Sequence, residues 1–222
     1  MKKRGIVLLI LVSTVLTGGV LWSLLWKPDP TELLNGGLEQ LHGATSFRYT
    51  LTQHQMVDGN DRLFNQVSGE KEGDNTRITG EILGTKVEMV LTGEGLYMQD
   101  PFTRRWIRYP SVSASHEAFL AELNPVTVME FESIGEVVLE GQDKIDNLRT
   151  WVVKFNPTVQ NPAMTNGWTD FSYLVFIGKR DKQIYRVIVD AKSKVNTKNQ
   201  FMSLTLDFRD YGEKMDIQIP NL

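Results

Sequence analysis

The 222-residue chain has 24 basic and 27 acidic residues, a formal net charge of −3, and no cysteine. Without cysteine it has no disulfide, no thiolate metal site and no site for a lipid-modified cysteine, so its domain must fold on a hydrophobic core alone. Three of the basic residues precede residue 5, which leaves 21 basic against 27 acidic residues in the rest of the chain. That negative balance argues against a nucleic-acid partner and against adsorption to anionic lipid headgroups.

The first 26 residues have the pattern of a membrane-spanning segment. An uncharged run from Gly5 to Trp26 follows the basic start Lys2–Arg4, and about 20 helical residues cover the apolar core of a bilayer. A cleavable signal peptide is the alternative, although its apolar section is usually only ~7–15 residues long and is followed by a small-x-small site, which is missing before Pro28. We therefore expect residues 5–26 to be a single-pass signal-anchor in the cell membrane. The positive-inside rule predicts a cytoplasmic N-terminus and an extracytoplasmic domain.

Residues 27–30 are expected to form a stiff linker, because Pro28 and Pro30 restrict the backbone. The remaining residues, 31–222, have the length of one large domain. It is predicted to begin with a helix over Thr31–His42 that is capped by Thr31. Leucines recur in this segment at helical spacing, at Leu33, Leu34, Leu38 and Leu41.

From Ser46 the hydrophobic period changes from helical to two, which is typical of half-buried strands. Turn signals such as Asp58-Gly59 and Leu83-Gly84 divide the segment up to Tyr109 into five or six consecutive antiparallel strands. The pattern predicts a meander of short hairpins.

Helical character returns over Ala114–Phe131, where a serine at or near Ser115 can cap a first helix and Asn124-Pro125 can start a second. Strands then resume, with a loop expected over Thr158–Thr169 and a last strand over Lys214–Ile219. A twisted sheet of about ten strands tends to curl, and helices would fill its concave side. The predicted fold class is therefore α+β, with a strongly curved antiparallel sheet wrapped round short helices.

The order of these elements resembles the LolA/LolB-like lipoprotein-carrier superfamily of the bacterial cell envelope, including its LppX- and LprG-type relatives. The resemblance covers nearly all of the domain and rests on three stretches in this order, Gly93–Trp106, Gly135–Phe155 and Asp207–Pro220, after the leucine helix. It implies an open β half-barrel around a helical plug, with a cavity for acyl chains or another apolar moiety. LppX/LprG-type and LolB-like members have a lipid-bearing cysteine and LolA-like members are soluble carriers, whereas this chain has no cysteine and is predicted to have a membrane-spanning segment.

No catalytic constellation is present in the sequence. The three histidines are isolated, and H-E-x-x-H, G-x-S-x-G and phosphate-loop motifs are all missing. We therefore expect neither an enzyme nor a cofactor or metal site.

Large apolar side chains expected on the concave side are the candidates for binding a ligand. Each of them could equally be part of a close-packed core, because burial of such side chains stabilises any domain. The candidates are Phe47, Tyr49, Leu51, Val87, Met89, Leu91, Trp106, Phe119, Met129, Trp151, Val153 and Phe155.

Two functional hypotheses follow. In the first, the domain binds an apolar ligand, a lipid acyl chain or a lipidated protein, and assists lipid or lipoprotein handling in the envelope. In the second, the core is closed and the protein is an interaction or sensor-type protein that docks an envelope protein partner. A hydrolase is a distant third, because no catalytic set supports it.

Overall fold

The computed structural model describes residues 27–195 and 200–222, in which an eleven-stranded antiparallel sheet packs against short helices. The predicted anchor, residues 5–26, lies outside these ranges. From Lys27 onward, none of the described helices is long and apolar enough to cross a membrane. The predicted α+β class, with one large antiparallel sheet and short helices, is confirmed.

The strands follow the predicted meander closely in the first half of the domain. Thirteen strands occur in the described ranges: β1 (Ser46–Val57), β2 (Asn60–Glu72), β3 (Asn75–Ile82), β4 (Thr85–Thr92), β5 (Gly95–Gln99), β6 (Trp106–Tyr109), β7 (Phe131–Ser133), β8 (Val137–Ile145), β9 (Leu148–Phe155), β10 (Thr158–Val159), β11 (Trp168–Gly178), β12 (Ile184–Ser193) and β13 (Phe201–Arg209).

The strand order in the large sheet is β6-β5-β4-β3-β2-β1-β13-β12-β11-β9-β8, and β7 pairs with β10 separately. The last strand therefore lies beside the first, with Tyr49 opposite Phe208. Strands β6 and β8 form the two edges, so the sheet is open.

Four helices lie in the described ranges: α1 (Pro30–Gly43), α2 (Ala114–Leu123), α3 (Pro125–Val128) and α4 (Pro162–Thr165). Helix α1 begins one residue before the predicted start, because Asp29 and not Thr31 is the N-cap. The Asp29 Oδ1 atom accepts hydrogen bonds from the backbone N–H groups of Thr31 (2.8 Å) and Glu32 (3.0 Å). Pro30 fits the first helical position because its missing N–H would have no partner there.

The predicted turns are confirmed where two residues connect adjacent strands. Asp58 and Gly59 have φ angles of 53° and 78°, and Leu83 and Gly84 have φ angles of 50° and 77°. Successive positive φ angles match the right-handed twist of the flanking strands, which is why such two-residue turns form tight hairpins.

Two predictions about the middle of the chain are corrected. Phe131 does not extend the second helix, which ends at Val128. It begins β7 instead, and its ring packs edge-on against Phe155 and Tyr173 at centroid distances of 5.3 and 5.1 Å. The segment 158–169, expected to be a loop, contains β10, α4 and the start of β11.

The predicted last strand, Lys214–Ile219, is also wrong. After β13 the chain turns at Asp210 and Gly212, where φ is positive, and continues without joining the sheet. Strand β1 already pairs with both β2 and β13. No free edge of β1 is therefore left with which Lys214–Ile219 could pair. The segment is held instead by single contacts, such as the bond from the backbone N–H of Met215 to the Glu72 carboxylate (3.4 Å).

The helices cover one face of the sheet, which we call the inner face. Its core includes the leucines of α1 and the fully buried rings of Tyr49, Phe47 and Tyr173. A Cβ atom at Gly37 would lie 3.1 Å from Cγ1 of Ile184, so α1 approaches β12 closely at this glycine.

Candidate apolar-ligand cavity

Two buried tyrosines on the sheet hold the ends of α2 and α3 against the inner face. The Tyr49 hydroxyl donates to the carbonyl of Leu123 (3.0 Å), and the Tyr173 hydroxyl donates to the carbonyl of Val128 (2.9 Å). Carbonyls at a helix C-terminus have no partner within the helix, so each bond satisfies a group that burial would otherwise leave unpaired. Burial also raises the pKa of both hydroxyls, which keeps them neutral donors.

A second set of bonds fixes the junction of α2 with its neighbours. The Thr127 hydroxyl donates to the Ala121 carbonyl (2.7 Å), and the buried Asn161 amide donates to the same oxygen (3.3 Å). Because Asn161 also caps α4 through the N–H of Ala163 (2.9 Å), α2, α3 and α4 form one bonded unit above the sheet.

Between this unit and strands β1 to β4 lies a cavity of about 350 Å³, which we call the α2 cavity. Most of the side chains around it are apolar, and Lys71 and Glu117 are the charged residues of its wall. The lining residues are Tyr49, Lys71, Thr76, Ile78, Met89, Leu91, Val112, Glu117, Leu120, Ala121, Asn124, Pro125 and Thr127.

The floor of the α2 cavity is a row of residues that face one another across four strands. Tyr49 lies opposite Gly69, Gly69 opposite Ile78, and Ile78 opposite Met89. Gly69 has no side chain, and a Cβ atom there would overlap the Tyr49 ring. The ring therefore lies over the glycine, beside Ile78, and forms part of the cavity floor.

A further cavity of about 330 Å³ lies at the other side of the helical unit, bordered by Phe119 and Val128. Its sheet side includes polar groups, since the Asn65 amide donates to the Gln53 side-chain oxygen at 2.5 Å. We call it the Phe119 cavity. The α2 cavity has the more apolar wall of the two and is the better candidate for an acyl chain.

The structure brings only some of the predicted ligand-binding residues to a cavity. Tyr49, Met89 and Leu91 line the α2 cavity, and Phe119 lines the Phe119 cavity. The others on the inner face are packed in or against the core: Phe47, Leu51, Val87, Met129, Trp151, Val153 and Phe155.

The placement of Trp106 on the concave side is corrected by the register of β5 and β6. Met98 lies opposite both Met89 and Ile107, so Ile107 shares the inner face. Trp106 lies opposite Gln99, and because side chains alternate along a strand it points to the other face.

The helix side of the α2 cavity was not predicted. Leu120, Ala121 and Pro125 line it, but no sequence signal distinguishes them from other apolar positions of α2 and α3. On the sheet side, Ile78 alternates with the polar residues Arg77 and Thr79 in β3. This period of two could have identified Ile78 as an inner-face residue.

No protein-family model and no curated protein sequence matches the chain. Among solved structures, it is similar to the lipoprotein LppX of Mycobacterium tuberculosis, with a TM-score of 0.61 and 15% identity over 86% of this chain and 100% of LppX. It is also similar to LprF of Mycobacterium bovis, with a TM-score of 0.56 and 15% identity over 88% of this chain and 99% of LprF. The chain has the fold of LppX. At 15% identity the likeness establishes the fold alone. It supports the resemblance predicted from the sequence as far as the fold is concerned.

The α2 cavity on this LppX-like fold offers mainly apolar contact. Within residues 27–195 and 200–222, no group of three or more histidine and acidic side chains could hold a metal ion. Of the polar groups around the α2 cavity, the hydroxyls of Tyr49 and Thr127 are already bonded to carbonyls of α2.

Proposed function

We propose that the protein is a membrane-anchored, extracytoplasmic binding protein that holds a lipid acyl chain, free or attached to a protein, in the α2 cavity. The observation that carries the proposal is the cavity itself: about 350 Å³ of space lined mainly by apolar side chains, with the buried core as its floor. Ligand pockets commonly measure ~300–1,000 Å³ and combine an apolar wall with a few polar groups.

Met89 and Lys71 suit an amphiphilic ligand. Met89, in the floor, is flexible and polarizable, and such a side chain adapts to chains of different shape. Lys71, in the wall, donates to the nearby carbonyl of Gly73, and no carboxylate of the described ranges lies within ion-pair distance of it. With Glu117 it gives the wall one charge of each sign, which favours a ligand with a polar end.

The membrane location rests on the sequence of residues 5–26 and on the positive residues before them. The protein should be recovered from the membrane fraction with its N-terminus at or near Met1. Recovery of a soluble form that begins near Pro28 would replace the anchor with a cleaved signal peptide and leave the binding proposal standing.

A photoreactive fatty acid tests the binding proposal. The full-length chain in phosphatidylcholine nanodiscs would be labelled with a diazirine-bearing fatty acid, and the cross-linked peptides would be mapped by mass spectrometry. We expect labels on β3, β4 and α2, and competition by an unlabelled fatty acid of the same length.

Two alanine substitutions provide a matched pair. Ala121→Phe adds a ring to the α2 cavity and should reduce its labelling at least tenfold, whereas Ala163→Phe adds the same ring at the Phe119 cavity and should leave it unchanged. Labels spread evenly over the surface, or equal effects of the two variants, would contradict the proposal and favour a closed-core protein that docks a partner.

A further inference from the structure

A cavity separate from the α2 cavity lies where the β8–β9 and β11–β12 hairpins turn. It measures about 490 Å³ and is lined by both turns and the start of β12. We call it the basic cavity, and its lining residues are Asn147, Leu148, Arg149, Gly178, Lys179, Arg180, Asp181 and Tyr185.

The charges around the basic cavity differ in sign from those of the whole domain. Arg149, Lys179 and Arg180 place three positive charges in its lining, where Asp181 supplies the only carboxylate. Asp146 lies next to this lining in the β8–β9 turn, and the chain after residue 26 carries a net charge of −6. In the part of the chain that the structure describes, no carboxylate is within ion-pair distance of any of these three cations. The cluster therefore concentrates positive potential in a concave site, where an anion would be attracted.

Lys179 is held in place before any ligand arrives. Its Nζ atom lies 3.9 Å from the ring centroid of Trp151, which attracts the cation through the electron density of the ring face. The same ammonium donates to the side-chain oxygen of Gln142, and the backbone N–H of Lys179 donates to the carbonyl of Arg149 (3.1 Å). Partial burial and the charge of Arg149 lower the pKa of Lys179, so an added anion would relieve this repulsion.

Asp181 shapes the turn with both of its carboxylate oxygens. One of its carboxylate oxygens accepts the backbone N–H of Gln183 (3.1 Å), and the other accepts the hydroxyl of Tyr185 (2.7 Å). Burial and the bond to Asp181 raise the pKa of Tyr185 to about 12, so its hydroxyl is neutral near pH 7. Both acceptor oxygens are thus engaged within the turn, and the guanidinium donors of Arg149 and Arg180 and the remaining donors of Lys179 are available to a ligand.

We propose that the basic cavity binds a phosphate group, carried either by a lipid headgroup or by free phosphate. Arginine forms two parallel hydrogen bonds with a phosphate, and such charge-assisted bonds are stronger than neutral ones. Two guanidinium groups and a pre-positioned ammonium from two turns supply this set of donors. The overall negative charge that argues against general adsorption to anionic lipids does not oppose one localised site of this kind.

Calorimetric titration of the full-length chain tests this site. The protein would be kept at low salt in dodecyl maltoside micelles, which contain no phosphate, and titrated with inorganic phosphate and, separately, with water-soluble dibutyryl phosphatidic acid. Arg149→Gln should weaken binding at least tenfold. Lys182→Gln removes a charge from the same turn but outside the cavity lining, and should change the affinity less than twofold.

Similar affinities for the two ligands would identify free phosphate as a sufficient ligand, and binding of the phosphatidic acid alone would identify a lipid headgroup. Absence of binding for both ligands would overturn the proposal. Equal losses of affinity in Arg149→Gln and Lys182→Gln would also overturn it, because they would show only a non-specific attraction to the positive charge of the turn. Fatty-acid labelling of the α2 cavity should be the same in Arg149→Gln as in the wild type, so failure here is distinguishable from failure of the acyl-binding proposal.

Discussion

The Tyr49 ring lies over Gly69 on the neighbouring strand, and the Tyr49 hydroxyl reaches the last carbonyl of α2. A glycine within a strand usually weakens it, unless another group needs the space. Here an aromatic ring occupies that space, and Tyr49 joins the floor of the α2 cavity to the helix above it.

We expect Gly69→Ala to destabilise the domain by about 1–3 kcal/mol, which is typical of overpacking a filled core. The new methyl group would overlap the Tyr49 ring and force it away from Leu123. Gly93→Ala is the matched control, because a Cβ atom at Gly93 would meet nothing within 4 Å. Urea unfolding of both variants would check this, and equal stabilities would mean that the ring can move without loss.

Tyr49→Phe isolates the hydrogen bond from the packing. The change leaves the buried Leu123 carbonyl without its donor and should cost about 1–3 kcal/mol. Tyr97→Phe removes a longer bond (3.3 Å) to the exposed carboxylate of Glu94 and should cost less than about 0.5 kcal/mol. Thermal or urea unfolding of the two variants measures the difference. The difference would vanish if a water molecule replaced the Tyr49 hydroxyl as the donor to the Leu123 carbonyl.

Stability should fall at alkaline pH because of the buried tyrosines. Burial raises the pKa of Tyr49, Tyr173 and Tyr211 in the folded state, whereas tyrosines of the unfolded chain ionise near pH ~10. Above that pH the unfolded state binds fewer protons than the folded state, so the free energy of unfolding decreases, by up to ~1.4 kcal/mol per pH unit for each tyrosine. Urea midpoints between pH 8 and pH 11 would show a shallower decline for Tyr49→Phe, and an unchanged slope would contradict this assignment.

The parts of the fold that could be predicted from sequence are those set by local chemistry. The Asp58-Gly59 and Leu83-Gly84 turns fix two hairpins through backbone angles that few residues adopt, and Asn124-Pro125 starts α3 as expected. The segment Lys214–Ile219 has a similar strand-like alternation, but a strand also needs a free sheet edge. Neighbouring strands already occupy both edges of β1, and no local pattern reveals that.

The candidate site was predictable on the sheet and not on the helices. The period-two pattern of β4 placed Met89 and Leu91 on one face, and both line the α2 cavity. In β6 both phases of the alternation contain an aromatic residue, Trp106 in one and Tyr109 in the other, so the sequence alone cannot choose the inner face. The helix side depends on tertiary bonds such as that from Tyr49 to Leu123.

A comparison of Met89→Ala with Trp106→Ala tests this assignment of faces. Met89 is only 1% exposed and lines the α2 cavity, so its truncation removes core contacts and should cost about 2–5 kcal/mol. Trp106 lies on the edge strand β6, points away from the cavity and is partly exposed, so its truncation should cost no more than about 1 kcal/mol.

The two variants should differ in fatty-acid labelling as well. Met89→Ala enlarges the α2 cavity and should change the chain length that competes best with the photoreactive fatty acid, whereas Trp106→Ala should keep the wild-type preference. Urea unfolding and competition with fatty acids of graded length would measure both effects on the same preparations. If Trp106→Ala lost labelling while Met89→Ala kept the wild-type preference, the ligand would lie on the outer face of the sheet, because the register separates these two side chains by the thickness of the sheet itself.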